Sequence, residues 1–139
     1  MMAQLQDILS SGSIKIFPGS VFLGPMPEVD HPKLYIIAGI SGDKICVCSV
    51  IINSDINQFI LKRPHLLERQ LEISDEQYSF LTHKSYINCA QPHKLSSKMF
   101  SDPSYEYVGM IEDTDLEEIR NQIKASGMLT EEEINTYFS

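Results

Sequence analysis

A mainly β (α+β) fold is what this sequence predicts: a small curled antiparallel sheet or SH3-like barrel, with peripheral helices and a helical C-terminal extension. Three observations carry that expectation. Short runs rich in β-branched and aromatic residues, "VFL", "KLYIIAGI", "ICVCSVII" and "KSYINCA", recur between Gly, Pro, Asn and Ser breakers. The two longest are joined by "SGDK", whose Gly and Asp suit a tight reversal, so they read as one buried hairpin. Near the end, apolar residues change to helical spacing behind two Thr/Glu capping patterns.

Residues 3–9 support only a short helix, with Leu5, Ile8 and Leu9 on one side, before the "SSGS" break at 10–13. Pro18-Gly19 is a turn that opens a strand over 21–23, and a loop with Pro25 and Pro27 runs on to His31-Pro32. After the hairpin, "QFILK" and "RQLEI" read as two further strands, each short, β-favouring and bounded by breakers. Ser74 is placed to cap a turn or two of helix over 75–81. "KSYINCA" alternates Tyr86 and Asn88 against Ile87 and Cys89, which is a strand pattern. Pro92 and Pro103 punctuate the next segment, which has room for one short helix, and "YEYVGMI" forms a last strand. Thr114 with Glu117 opens a helix bearing Leu116, Ile119 and Ile123 that stops at Gly127. Thr130 with Glu133 opens a second, bearing Ile134, Tyr137 and Phe138.

At 139 residues the chain is long enough for one domain with a real core. The expected division is 1–112, a β-barrel-like domain with a short N-terminal helix, and 113–139, an acidic two-helix extension packed on or near it. Residues 1–100 hold nine acidic and nine basic side chains, whereas 101–139 hold ten acidic ones against Arg120 and Lys124, so the formal charge of −8 lies entirely in the tail. Such a tail repels a polyanion, and net charge therefore gives nucleic-acid binding no support. Glu117, Glu118, Glu131, Glu132 and Glu133 are expected in first helical turns, where a carboxylate offsets the helix dipole by about 0.3–1 kcal/mol. The functional alternative is an acidic tail that mimics nucleic acid and shields a basic cleft.

The opening residues show no basic and apolar leader, and no apolar run approaches the roughly 20 residues of a membrane span, so a cytoplasmic protein without membrane contact is expected. An odd count of three cysteines fits a reducing compartment. Cys46 and Cys48 share one face of a strand and, with Cys89, read as small buried core side chains; the other reading is a set of soft metal ligands. Zinc-site, phosphate-loop, dinucleotide and nucleophile-elbow motifs are all missing, so neither metal nor cofactor is expected.

The hairpin is bracketed by His31-Pro32 before it and Asn53-Ser54 after it, side chains that handle protons and hydrogen bonds. Here "PGSVFLGPMPEVDHPKLYIIAGI", "CVCSVIINS" and "FLTHKSYINCAQPHKLS" together resemble the MazF/PemK-like toxin family, over residues 17–100. The shared features are a Pro-Gly turn into the first strand, a long loop ending in a basic residue plus Pro, an apolar strand, a strand closing in a polar pair, and a later "SY-apolar" strand. The resemblance implies an SH3-like barrel and a cofactor-free, sequence-specific endoribonuclease of a bacterial toxin-antitoxin module, often a dimer and silenced by an antitoxin protein. His31 stands where that family has its catalytic Arg, with Pro32 matching, and Asn53-Ser54 where it has Thr-Ser. Both catalytic places therefore carry different side chains, and an imidazole cannot copy the bidentate fork of a guanidinium.

Cleavage of RNA by its own 2′-hydroxyl needs a base for that proton, an acid for the leaving oxygen and a cation near the developing charge. The catalytic candidates are His31 for proton transfer, Lys33 for charge, and Asn53 and Ser54 for orienting a phosphate. Their other readings are a surface or capping His31 and a solvated edge Lys33. Basic turns recur at Arg63 and His65, at His83 and Lys84, and at His93 and Lys94. Of these, Arg63, His65 and Lys84, with Tyr86 as a stacking ring, are the substrate-binding candidates, against ordinary loop polarity and core packing. Two function classes stay open: an endoribonuclease-like toxin acting on RNA, with an antitoxin and a second copy as partners, or a barrel of the same ancestry that has lost cleavage and binds a protein or nucleic acid. If the brackets are one site, closure of the hairpin brings them into one pocket.

Overall fold

Six strands, β1 (Ser20–Gly24), β2 (Lys33–Ile40), β3 (Cys46–Asn53), β4 (Gln70–Ile73), β5 (Ser85–Ser96) and β6 (Glu106–Met110), make a single sheet. In the computed structural model, which describes residues 16–139, their order across the sheet is β4-β5-β3-β2-β1-β6. Every neighbouring pair is antiparallel. The outer strands β4 and β6 do not meet, so the antiparallel sheet is found rather than the closed barrel. Among the described residues four helices accompany it: α1 (Gln58–Leu61), α2 (Pro64–Leu67), α3 (Asp113–Ser126) and α4 (Glu131–Phe138). A 3-10 helix spans Ser97–Ser101. The helix expected over residues 3–9 lies outside the described residues.

The unbroken apolar run of β2 has a simple cause, because both faces of the sheet are covered. Ile36 and Ala38 point into the larger core layer with Val50, Ile87, Leu116, Ile119 and Ile123, beneath α3 and α4. Tyr35 and Ile37 point the other way, into a smaller layer with Phe22, Val47, Ile51 and Phe100 of the 3-10 helix. In α3, Leu116, Ile119 and Ile123 fall at helical spacing on one stripe, and burial of each contributes about 1.5–3 kcal/mol. The two helices of the acidic extension are therefore a covering layer of the sheet.

Two glycines make close approaches possible. Gly19 adopts φ 96°, while its N–H donates to the Ile37 carbonyl and its carbonyl accepts from Ile111, tying β1 to both neighbours. Gly39 sits at a register shift between β2 and β3, where a Cβ would lie 2.3 Å from the Tyr137 carbonyl oxygen of α4.

Several local expectations are corrected. "QFILK" is helical: the Asn57 side chain caps α1 by accepting from the Ile60 N–H, and Pro64 starts α2. Residues 75–81 form turns, because Ser74 Oγ accepts from Glu76 N–H and closes a local loop instead of launching a helix. β5 runs straight through Pro92 to Ser96. Its pairing with β3 is irregular between Asn88 and His93, and β4 reaches only as far as Asn88, so the missing proline N–H falls outside both ladders. Helix α3 starts at Asp113, with Glu112 as its N-cap residue, so Thr114 is inside the helix and Glu117 and Glu118 are beyond the first turn. The Tyr78 hydroxyl does the capping, accepting from Glu112 N–H and donating to Asp115. Cys46, grouped by the strand pattern with the core thiols, is exposed; it begins β3 beside the exposed Ile45, while Cys48 and Cys89 are buried. No helix among the described residues is long and apolar enough to cross a membrane.

Candidate functional site at the hairpin base

The antiparallel register brings the two ends of the hairpin together. Leu34 pairs with Ile52, so Lys33 and Asn53 come next to each other at the base, and Lys33 Nζ donates to Asn53 Oδ1 at 2.7 Å. Burial pulls the Lys33 ammonium below its ordinary pKa, and the carboxamide oxygen offsets part of that desolvation. Just before β2, His31 Nδ1 lies 3.0 Å from Asp30 Oδ1, a contact that holds the Asp30 carboxyl below the usual carboxylate range.

Lys33 is the wall between two cavities. The smaller, of about 180 Å³, is bordered by His31, Pro32, Lys33, Ser54, His83 and Ser85 over an apolar floor that includes Leu34 and Ile52. Both brackets thus open on one pocket, with a second histidine facing them. His83 Nδ1 is 2.9 Å from the Lys84 carbonyl and 3.3 Å from Ser85 Oγ, so this nitrogen is turned to the protein. Ser85 Oγ donates to the His83 carbonyl at 3.2 Å, holding the turn closed.

The larger cavity, of about 450 Å³, lies beside the smaller core layer, with Ile51 in its wall. Lys33, Asn53, Asn57, Asn88, Gln91 and His93 supply its polar lining, and Phe59 and Met128 stand among the apolar part. Burial lowers the His93 pKa, favouring the neutral ring.

Of the four catalytic candidates, His31, Lys33 and Ser54 share the smaller cavity, while Asn53 faces the larger one and meets the others through Lys33. The substrate-binding candidates do not converge. Arg63 stacks on Phe59 with its guanidinium carbon 3.5 Å from the ring centroid, and its Nη1 donates to the Phe59 carbonyl. His65 is exposed on α2, Lys84 pairs with Glu72 at 3.8 Å, and Tyr86 is half-buried in β5 opposite Asn53 and Glu72. None of the four lines either cavity. Sequence reasoning missed Ser85, Asn57, Asn88 and Gln91 as site groups. The cross-strand pairing of Ile51 with Asn88, which sets the carboxamide on the cavity wall, has no local signature.

Among the described residues no group of three or more His, Cys, Asp or Glu side chains is arranged to hold a metal ion. The thiols of Cys48 and Cys89 are each pushed up to about 12 by burial. Compared with known proteins, the chain matches no protein-family model and no curated protein sequence.

Proposed function

We propose that this protein is an endoribonuclease-like toxin of a bacterial toxin-antitoxin module, cleaving RNA without a cofactor at the smaller cavity. The observation that carries the reading is the convergence of His31, Lys33 and Ser54 on one pocket that also holds His83. In this scheme one imidazole takes the 2′-hydroxyl proton as the 2′-oxygen attacks phosphorus. The other gives a proton to the departing 5′-oxygen, and a 2′,3′-cyclic phosphate is left. Lys33 offsets the charge that develops on the phosphoryl oxygens, and Ser54 and Ser85 orient them. Two histidines thereby supply the proton chemistry where the resembled family uses a guanidinium. Such a module works in the cytoplasm, with an antitoxin protein as partner and a second copy of the chain completing the active form.

The purified protein is expected to cut a mixed RNA pool into fragments with cyclic phosphate ends. His31→Ala and His83→Ala should each slow cleavage by about a hundredfold or more, the usual contribution of a positioned acid or base. Both rings are exposed, so melting temperatures should stay close to the parent's. A protein that leaves every RNA intact and does not arrest growth on expression would overturn the enzyme reading. One observation favours the second reading, a module that binds a protein or nucleic acid without cutting: no arginine lines the pocket, and its one lysine is already engaged by Asn53. RNA or antitoxin binding without cleavage would establish it.

A further inference from the structure

We infer that the 450 Å³ cavity is a nucleobase pocket, in which carboxamides read the edge of a base and Phe59 supplies a stacking face. The inference deepens the RNA reading above and rests on it for the strand that carries the base. Four independent features point the same way.

The volume lies within the range of small-molecule sites and accommodates a heterocycle of nucleoside size. The lining contains carboxamides and no carboxylate, although the chain has 19 acidic residues. A cation site is thereby disfavoured; Gln91 keeps the donor-beside-acceptor pattern that complements the edges of bases, while Asn53, Asn57 and Asn88, whose oxygens already accept, offer amide hydrogens. Asn88 is held in place, its Oδ1 accepting from Gln70 Nε2 and Ala90 N–H, which turns its amide hydrogens to other acceptors. Among the described residues the Gln91 side chain and the His93 ring have no hydrogen-bond partner, so their polar atoms are open to a ligand; the neutral His93 ring both donates and accepts.

Phe59 is 58% exposed, and the Arg63 guanidinium carbon sits 3.5 Å from its ring centroid. A ring of this kind is the platform on which unstacked bases rest in single-strand recognition. Finally, Lys33 borders both cavities. A strand with a base seated in the larger one has its neighbouring phosphate beside the ammonium and the two histidines.

The same base chemistry is offered by a strand or by a free nucleotide, and titration calorimetry separates them. The probes are the four nucleoside monophosphates and four single-base RNA hexamers, added to the His31→Ala protein so that cleavage does not consume them. At least one base should bind. A hexamer that binds tighter than its monophosphate identifies a strand, whereas equal affinities identify the free nucleotide. Phe59→Ala and Gln91→Ala should each weaken binding by about tenfold or more, with Phe59→Leu no better than Ala because it restores volume without a ring face. Since both side chains are exposed, unchanged melting temperatures will show that folding is not the cause. Binding by none of the eight probes, or affinities unchanged in Phe59→Ala and Gln91→Ala, overturns the pocket. RNA cleavage that persists unaltered when Phe59→Ala and Gln91→Ala are made with His31 intact sinks the pocket and leaves the nuclease. Base binding by a protein that never cuts RNA sinks the nuclease and leaves the pocket.

Discussion

Individual side chains in this protein are governed by how far along a strand they sit. Cys46 and Cys48 are two residues apart in β3, yet one is exposed and the other is sealed beneath the helices with Cys89. Burial also disfavours the reactive thiolate of the inner pair. Mass spectrometry after brief treatment with iodoacetamide should show one modified cysteine in the native protein and three after denaturation. Rapid native labelling of all three, or zinc bound in stoichiometric amount, would contradict the packing. The alternation of strand side chains was legible in the sequence, but not where the covering layer stops. The placement of His31 and Ser54 at the hairpin base was legible for a related reason: breakers mark strand ends, and strand ends are where polar side chains gather. The carboxamides of the larger cavity were not, because Asn88 becomes a wall residue only through its pairing with Ile51.

Elements followed the sequence most closely where the decisive contacts are local. The Thr130–Glu133 capping box of α4 forms as read, with both reciprocal hydrogen bonds, and Gly127 ends α3 in the left-handed conformation at φ 73°. Reading failed where a distant group replaces the local one. Tyr78 caps α3 from 34 residues away, and the helix starts ahead of Thr114. Likewise Pro92, a breaker by composition, is tolerated in β5 because β4 ends before it. The contact of α4 with β2 offers a test of element packing. Gly39→Ala would place its methyl 2.3 Å from the Tyr137 carbonyl and 2.7 Å from the Phe138 ring, forcing α4 outward. A loss of about 1–3 kcal/mol in urea unfolding is expected, typical of overpacking. Parent-like stability would mean that α4 does not rest on β2 as described.

For the whole molecule, the division of charge and the division of the core do not coincide. The tail carries the formal excess of acid, yet Leu116, Ile119, Ile123, Leu129 and Tyr137 from that same tail are buried in the larger layer. Its carboxylates border neither the hairpin-base pocket nor the larger cavity, so electrostatic shielding of those openings has no geometric support. Deleting residues 113–139 strips the apolar cover from β2, β3 and β5 and should abolish the cooperative melting transition seen by circular dichroism. A truncated chain that still melts sharply would show that the sheet stands without its helical layer. The position of β6 has a consequence in time. Ser20 and Met110 pair at a sequence separation of 90, and β1 has no outer neighbour until that last strand arrives. The β2–β3 hairpin assembles from adjacent residues, whereas the flank of β1 waits for the most distant partner in the sheet, and closing so long a loop slows folding. On a ribosome, β1 emerges ahead of the other described strands and is thus among the last of them to be sheltered, and through that interval its unpaired backbone edge is open to a chaperone or to a misplaced strand.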